Sequence, residues 1–306
     1  MQKRHSQKKP QTMTARFLKF LFRLTSVMSL PLAHRIGFFL GRLLNTIPNK
    51  SRAIAKKNIE LCFPEQTPEE QQITLRNSLI ESGKTLAEMG IIWLANSERV
   101  LNMITSVEGE EHLKAAIKHH KGVLLAMPHI GSWELVNLYA ARHYPVTSLY
   151  KPQQLKSIDS IIKQARQRTG ARLVPTDTRG VRAVSKALTS GEVIVILPDQ
   201  QPYLHMKNGL FADFFGTPAY SMTLMVKLAA KFNSEIIYAY TKRKPNGKGF
   251  SLIFTPASEN INKQDIQSSV ELMNKDIEKV IRDCPAQYQW TYKRFKSRPE
   301  GMKRFY

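Results

Sequence analysis

The apolar residues from Pro68 to Ala95 follow a helical repeat. The stretch reads PEEQQITLRNSLIESGKTLAEMGIIWLA, with apolar side chains at positions i, i+3, i+4 and i+7 and two glutamates in its first turn. This spacing places the apolar side chains on one face of a helix, and acidic residues are favoured where a helix begins. The pattern predicts one long amphipathic helix.

After this helix the pattern alternates between short apolar runs and helical stretches. The runs, bounded by Gly or Pro, are GVLLAM, YPVTSLY, ARLVP, GEVIVILP and SEIIYAYT, and the stretches between them include WELVNLYAARH, LKSIDSIIKQARQR and GVRAVSKALTS. Such alternation is typical of βαβ units. A later run, FSLIFTP, follows the turn KPNGKG and is predicted to pair with SEIIYAYT as a hairpin. The predicted fold class is α/β, with a mostly parallel mixed sheet flanked by helices.

The first 50 residues contain no Asp or Glu, and their Lys and Arg residues stand between Phe and Leu residues. The longest stretch free of Lys and Arg, Leu24 to His34, is shorter than the roughly 18 to 20 residues that cross a bilayer. A signal peptide is disfavoured because Pro31-Leu32-Ala33 is not a small-x-small cleavage site. We therefore predict a basic amphipathic membrane anchor over residues 1–50 and a single α/β domain over residues 51–306. A tilted membrane span and a plain core helix remain alternatives.

The charge of the chain predicts an anionic partner. The sequence holds 46 Lys and Arg against 24 Asp and Glu, a net charge of +22. Nucleic acid, an acidic protein and a phosphate-bearing membrane all fit this charge. Nucleic acid is disfavoured because the chain has no helix-turn-helix, zinc knuckle or RNP-type strand. Its two cysteines, Cys62 and Cys284, form no C-x-x-C pattern, so neither a disulfide framework nor a zinc site is expected.

The octapeptide MPHIGSWE places His129 at the carboxyl end of a predicted strand, where α/β sheets bind ligands. We expect a turn at Gly131, an N-cap at Ser132 and Glu134 in the first turn of the next helix. The turn would let Glu134 meet His129, accept its Nδ1–H and leave Nε2 free as a general base. From these two residues alone, an ordinary strand-end histidine and a first-turn acid remain an alternative. No H-E-x-x-H motif indicates a metal, and no G-x-S-x-G elbow indicates a nucleophilic serine.

Two further stretches carry candidate substrate-binding residues. Asp199 lies in ILPDQQP, at the end of another predicted strand, and a polar turn is the alternative interpretation. Arg166 and Arg168 end a predicted helix in RQRTGARL, where they could clamp a phosphate or carboxylate. A solvated basic helix end is the alternative for this pair.

The motifs together resemble a known family. HIGSWE has the H-x4-[D/E] form of the glycerolipid acyltransferases, and further matching stretches are KKNIELCFPEQTPEE, ILPDQQP, GLFADFFGTPAYS and QYQWTYKRFKSRPEG. The ordered set resembles the late lipid A biosynthesis acyltransferases, the lauroyl or myristoyl transferases of Gram-negative inner membranes. The resemblance covers nearly the whole chain.

The resemblance implies an O-acyltransferase domain over residues 51–306. It would move a fatty acyl chain from acyl-acyl carrier protein to a hydroxyl of a lipid A precursor, at the cytoplasmic face of the cell inner membrane. His129 would match the base of the family and Glu134 its orienting acid, while Arg166 and Asp199 match positions of functional importance. The expected partners are acyl carrier protein, the anionic lipid A precursor and the inner membrane, with no nucleic acid, metal or cofactor. An acceptor that is another glycolipid or a glycerophospholipid is the alternative.

Overall fold

The computed structural model describes residues 13–153, 155–204 and 208–306. Its helices are α1 (Met13–Ser26), α2 (Leu30–Thr46), α3 (Lys50–Cys62), α4 (Pro68–Leu94), α5 (Ser97–Leu101), α6 (Glu110–Lys118), α7 (Glu134–His143), α8 (Lys156–Gln167), α9 (Thr178–Thr189), α10 (Leu224–Phe232) and α11 (Ile266–Asp283). Its strands are β1 (Ile104–Glu108), β2 (Val123–Ala126), β3 (Val146–Tyr150), β4 (Arg172–Pro175), β5 (Val193–Ile196), β6 (Gly209–Phe214), β7 (Thr217–Met222), β8 (Glu235–Arg243) and β9 (Phe250–Pro256).

Seven strands form one mixed sheet in the order β1-β9-β8-β2-β5-β3-β4. The five strands from β8 to β4 in this order are mutually parallel. β9 pairs antiparallel with β8, as the predicted hairpin requires, and β1 pairs parallel with β9. The predicted α/β class with a mostly parallel mixed sheet is confirmed. β6 and β7 form a separate antiparallel hairpin.

The two faces of the sheet are buried against different helices. On β2, Leu124 and Ala126 belong to a core that includes Val184 of α9 and Met273 of α11. The alternate residues Val123 and Leu125 belong to a second core that includes residues of α6 and α7. Because successive side chains of a strand point to opposite faces, the central strands are apolar throughout, which is the pattern seen in their sequence.

The N-terminal helices pack on α4, which spans the predicted residues 68–94 and begins with a capping box between Thr67 and Glu70. A Cβ added at Gly41 of α2 would lie 2.3 Å from the Cα of Ile80, and one added at Gly83 would lie 2.2 Å from the carbonyl oxygen of Gly37. Only glycine at these crossing points allows the two helix backbones to approach so closely. α2 is thus part of the folded body.

A buried set of charges joins α2, α4 and β8. The carboxylate of Glu88 is bound by His34 Nε2 at 2.9 Å and by Arg243 Nη2 at 2.6 Å. A second carboxylate, that of Glu81, lies 2.6 Å from Arg243 Nη1. Burial alone would raise the pKa of Glu88, but the charge of Arg243 and the hydrogen bonds from His34 and Arg243 outweigh it and lower the pKa to about 2.

The opposite face of α1 and α2 is exposed and apolar. Phe17, Phe20 and Phe39 each expose 60% or more of their surface. Further exposed apolar residues in this part of the chain are Met13, Leu24, Val27, Leu32, Leu40, Leu43 and Ile47. Within the described residues no helix combines the length and the hydropathy that a membrane crossing requires. The membrane-associated anchor over residues 1–50 and the domain boundary after it stay predictions, and residues 1–12 lie outside the described part.

Candidate active site

Two neighbouring strands bring His129 and Asp199 together. β2 and β5 are parallel, and Ala126, the last residue of β2, pairs with Ile196, the last residue of β5. His129 and Asp199 each stand three residues beyond this pair. Because parallel strands end at the same edge of a sheet, the two loops deliver both side chains to one place.

The imidazole of His129 is bound by the carboxylate of Asp199. Nδ1 lies 2.8 Å from Asp199 Oδ1, and the backbone N–H of His129 donates to Oδ2 at 3.0 Å. The side chains of His129 and Asp199 are 12% and 2% exposed. Burial would raise the pKa of Asp199, but the charge and hydrogen bonds of His129 outweigh it and hold that pKa below its ordinary value. A carboxylate at Nδ1 accepts the Nδ1–H, so the lone pair of His129 is on Nε2.

Glu134 is held by Arg166 instead of His129. Arg166 Nε donates to Glu134 Oε2 at 2.9 Å, and Nη2 donates to Oε1 at 2.5 Å, which is a two-point guanidinium–carboxylate pair. Burial would lower the pKa of Arg166, but the adjacent Glu134 raises it. The carboxylate that orients His129 is therefore Asp199, which corrects the pairing expected from HIGSWE. A direct catalytic part for Glu134 stays a prediction.

The predicted turn at Gly131 is present. Gly131 has φ of +59°, and a Cβ at this position would lie 2.0 Å from the carbonyl oxygen of Thr241. The backbone N–H of Ser132 donates to Thr241 Oγ1 at 2.8 Å. The expectation of an N-cap at Ser132 is corrected, because α7 starts at Glu134 and Trp133 occupies the N-cap position without a side-chain cap bond.

Arg168 binds the end of α4. Its Nη1 donates to the carbonyl oxygen of Ala95 at 2.8 Å, and its Nη2 donates to that of Ile92. The last carbonyls of a helix have no partner within the helix, and a cation there is favoured by the helix dipole. In this structure Arg168 therefore caps α4, while Arg166, the other half of the predicted clamp, faces Glu134. A role of Arg166 or Arg168 in substrate binding stays a prediction.

Sequence reasoning did not single out the two glutamines beside the base. Gln200 Nε2 lies 3.3 Å from His129 Nε2 and donates to Gln289 Oε1 at 3.0 Å. The backbone N–H of Gln289 donates to the carbonyl oxygen of His129 at 3.1 Å. Ile130 of the same loop also forms an isolated antiparallel β-bridge with Tyr288. Gln200 stood in the noted PDQ stretch, but no local pattern places Gln289 beside it.

The aromatic and apolar stretch GLFADFFGTPAYS, which could line a slot for the acyl chain or belong to the core, forms the β6–β7 hairpin. Phe214 and Phe215 of this hairpin are buried and pack with Phe63 and Trp290 in the core. Core packing accounts for these aromatic residues. A small cleft instead borders the site, lined by Thr85, Glu88, Met89, Ile92, Trp93, Ser132, Trp133 and Glu134.

Within the described residues, no group of three or more His, Cys, Asp or Glu side chains could hold a metal ion. A lone pair on Nε2, an Nδ1–H held by a carboxylate and a partly exposed ring are what a general base requires. The arrangement can take a proton from a hydroxyl that reaches Nε2 and return it to a leaving group.

Comparisons with known proteins agree with this chemistry. Residues 1–297 match the family described as "Bacterial lipid A biosynthesis acyltransferase". The chain is 29% identical over 273 residues to the lipid A biosynthesis lauroyltransferase of Escherichia coli K12, which covers 89% of this chain and 88% of that protein. It is 29% identical to the palmitoleoyltransferase of the same strain, over 89% of this chain and 87% of that protein. It is 22% identical to the myristoyltransferase of that strain, over 89% of this chain and 82% of that protein.

Proposed function

The chain belongs to the bacterial lipid A biosynthesis acyltransferases and is an acyltransferase enzyme, and from this premise we propose how it works and where. The acyl donor is the thioester of an acyl carrier protein, and the acceptor is a hydroxyl of a lipid A precursor. The product is an ester of lipid A and a free carrier thiol.

The reaction proceeds by direct attack of the acceptor hydroxyl. His129 Nε2 takes the hydroxyl proton while the oxygen bonds to the thioester carbon. The tetrahedral intermediate collapses, the carbon–sulfur bond breaks, and the imidazolium returns the proton to the departing sulfur. Asp199 holds Nδ1–H throughout and stabilises the imidazolium. The observation that carries this proposal is the 2.8 Å contact between His129 Nδ1 and Asp199 Oδ1 at the carboxyl edge of the sheet.

The charge of the chain supports both partners. An acyl carrier protein is strongly acidic and a lipid A precursor carries phosphates, so a net charge of +22 attracts each of them. Arg166 lies beside Glu134 at the same edge of the sheet, where its remaining donor Nη1 can reach a substrate phosphate.

We also propose that the enzyme acts at the cytoplasmic face of the inner membrane. The exposed face of α1 and α2 carries Phe17, Phe20 and Phe39, with the basic residues Arg23 and Arg42 also exposed on these helices. Aromatic and basic residues on one helix surface are typical of helices that lie in a bilayer interface with anionic lipids.

Purified His129→Ala tests the proposal. The assay follows ester formation on a lipid A precursor by mass spectrometry, with lauroyl, myristoyl and palmitoleoyl thioesters of acyl carrier protein as donors. We expect turnover to fall by roughly 10²- to 10⁴-fold, as for loss of a general base. His112→Ala, which removes an exposed imidazole on α6, is the matched control. Wild-type turnover by His129→Ala would refute the base assignment.

Binding to vesicles tests the location. The protein should sediment with vesicles that contain phosphatidylglycerol, and Phe17→Ser/Phe20→Ser should sediment less. Equal sedimentation of the two proteins would show that this face is not the docking surface.

A further inference from the structure

The amide of Gln200 covers the proton-accepting atom of the base. Its Nε2 lies 3.3 Å from His129 Nε2, and the same amide nitrogen lies 3.0 Å from Gln289 Oε1. Gln289 is itself fixed, because its backbone N–H donates to the carbonyl oxygen of His129 at 3.1 Å. One N–H of Gln200 is thus held by Gln289, and the other is aimed at the base.

The backbone N–H groups of the His129 loop itself, residues 129–132, are already used within the protein. The N–H groups of residues 129–132 all have acceptors within the protein, at 2.8 to 3.0 Å. These acceptors are Asp199, Pro128, Gln287 and Thr241, in that order. An acyl transfer nevertheless develops negative charge on the carbonyl oxygen, which fixed N–H donors stabilise. A side chain with an N–H close to Nε2 can supply such a donor.

The acceptor hydroxyl has to displace the Gln200 amide, since it must reach His129 Nε2 to give up its proton. The 3.3 Å bond is longer than the usual 2.9 to 3.0 Å, so it is easily replaced. The displaced N–H is then free to donate to another acceptor. The reacting carbonyl carbon is bonded to the attacking oxygen, so its oxygen forms within reach of that N–H.

We propose that Gln200 is a catalytic residue that donates its side-chain N–H to the oxyanion of the tetrahedral intermediate, and that Gln289 is a positioning residue that fixes the amide. In the step, the hydroxyl oxygen bonds to the thioester carbon, its proton moves to His129 Nε2, and the carbonyl electron pair moves onto the oxygen that Gln200 binds. When this pair returns, the carbon–sulfur bond breaks and His129 protonates the sulfur. The inference rests on the proposed function.

Arg166 is the rival donor at this edge of the sheet. Two of its nitrogens, Nε and Nη2, donate to the carboxylate of Glu134. This pair fixes the position of the guanidinium beside Glu134. Gln200 also touches the base directly, whereas the guanidinium of Arg166 is bound to Glu134 and lies over the ring of Tyr150.

The test compares steady-state kinetics of Gln200→Met with those of the wild type, in the mass-spectrometric ester assay with lauroyl-acyl carrier protein. Methionine keeps the length of glutamine but has no N–H. We expect kcat to fall by roughly 10²- to 10³-fold with little change in either KM. Gln289→Met should lower kcat by roughly 10- to 100-fold. Gln289→Glu keeps an acceptor oxygen and should recover most of this loss.

Gln72→Met, on the exposed face of α4, is the matched control for the substitution. The melting temperature of each variant shows that it is folded at the assay temperature. An inactive His129→Ala together with wild-type kcat in Gln200→Met would overturn the inference and leave the proposed function standing. A raised KM for the acceptor at unchanged kcat would also overturn it, since the amide would then bind the hydroxyl in the ground state. Failure of Gln289→Glu to recover activity would overturn the positioning role.

Discussion

The substitution Asp199→Asn tests which carboxylate, Asp199 or Glu134, orients His129. In the wild-type protein both oxygens of Asp199 accept, one from His129 Nδ1 at 2.8 Å and one from the His129 backbone N–H at 3.0 Å. Asparagine has one accepting oxygen and one donating nitrogen. If its oxygen keeps the backbone bond, its NH₂ faces Nδ1, and the ring must place its own proton on Nε2. The base then has no lone pair where the acceptor hydroxyl arrives.

The magnitude of this loss follows from the geometry. A base in the wrong tautomer loses the contribution of general base catalysis, roughly 10²- to 10⁴-fold in rate, and the same change in serine-protease triads costs about 10⁴-fold. The cost in stability is smaller, at about 1 kcal/mol, because the hydrogen bond at Nδ1 remains with its direction reversed and loses only the charge of the carboxylate.

Glu134→Gln should behave differently, since Glu134 neutralises Arg166. Breaking a buried ion pair costs up to about 3–5 kcal/mol, and here the upper end is reduced because the Arg166 side chain is 19% exposed. We therefore expect a larger loss of unfolding free energy in Glu134→Gln and a larger loss of kcat per folded molecule in Asp199→Asn.

The assay is kcat at 25 °C with saturating donor and acceptor, together with urea unfolding of each variant. Gln72→Ala on the exposed surface of α4 is the control for handling and folding. Wild-type kcat in folded Asp199→Asn would refute the assignment of Asp199 as the orienting carboxylate. A full loss of kcat in Glu134→Gln at unchanged stability would instead return that role to Glu134.

Three other predictions concern stability. The pKa of Glu88 lies at about 2 against an ordinary 4.5, so its ionised form stabilises the fold above pH 4.5. About 3 kcal/mol of unfolding free energy is lost as pH falls from 4.5 through 2. Glu88→Gln should flatten this part of the plot of unfolding free energy against pH, and an unchanged plot would contradict the argument. Gly131→Ala should lower the unfolding free energy by more than about 1 kcal/mol, because its Cβ would collide with the Thr241 carbonyl; wild-type stability would show that the turn can relax. Arg168→Ala should lower the melting temperature and leave kcat of the folded protein unchanged, since its donors bind the end of α4; a fall in kcat without a change in melting temperature would restore the predicted role in substrate binding.

The sequence predicted the central strands but not the edge of the sheet. β2, β5 and β8 were recognisable because their apolar runs are bounded by Gly or Pro and buried on both faces. β1 was missed because its residues are exposed or half-buried. The β6–β7 hairpin was not predicted, because Gly209, Gly216 and Pro218 weaken its strand signal.

The sequence identified candidate residues for the site but did not predict which of them bind each other. His129 and Asp199 lie together beyond the carboxyl ends of β2 and β5, as their predicted places at strand ends require. Arg166, predicted only at a helix end, reaches Glu134 from the last turn of α8. The order of the strands is a tertiary property, and only the insertion of β5 next to β2 brings Asp199 to His129. Sequence proximity favoured Glu134, five residues away, over Asp199, seventy residues away.

The contacts between the His129 loop and residues 287–289 join parts of the site that are made at different times. Ribosomes add about 5–20 residues per second, so the base, its carboxylate and the central strands are synthesised before Gln287, Tyr288 and Gln289. Gly131 N–H, which donates to the carbonyl oxygen of Gln287 at 3.0 Å, has no such partner until then. The geometry of the catalytic loop therefore depends on residues that the ribosome adds long after His129.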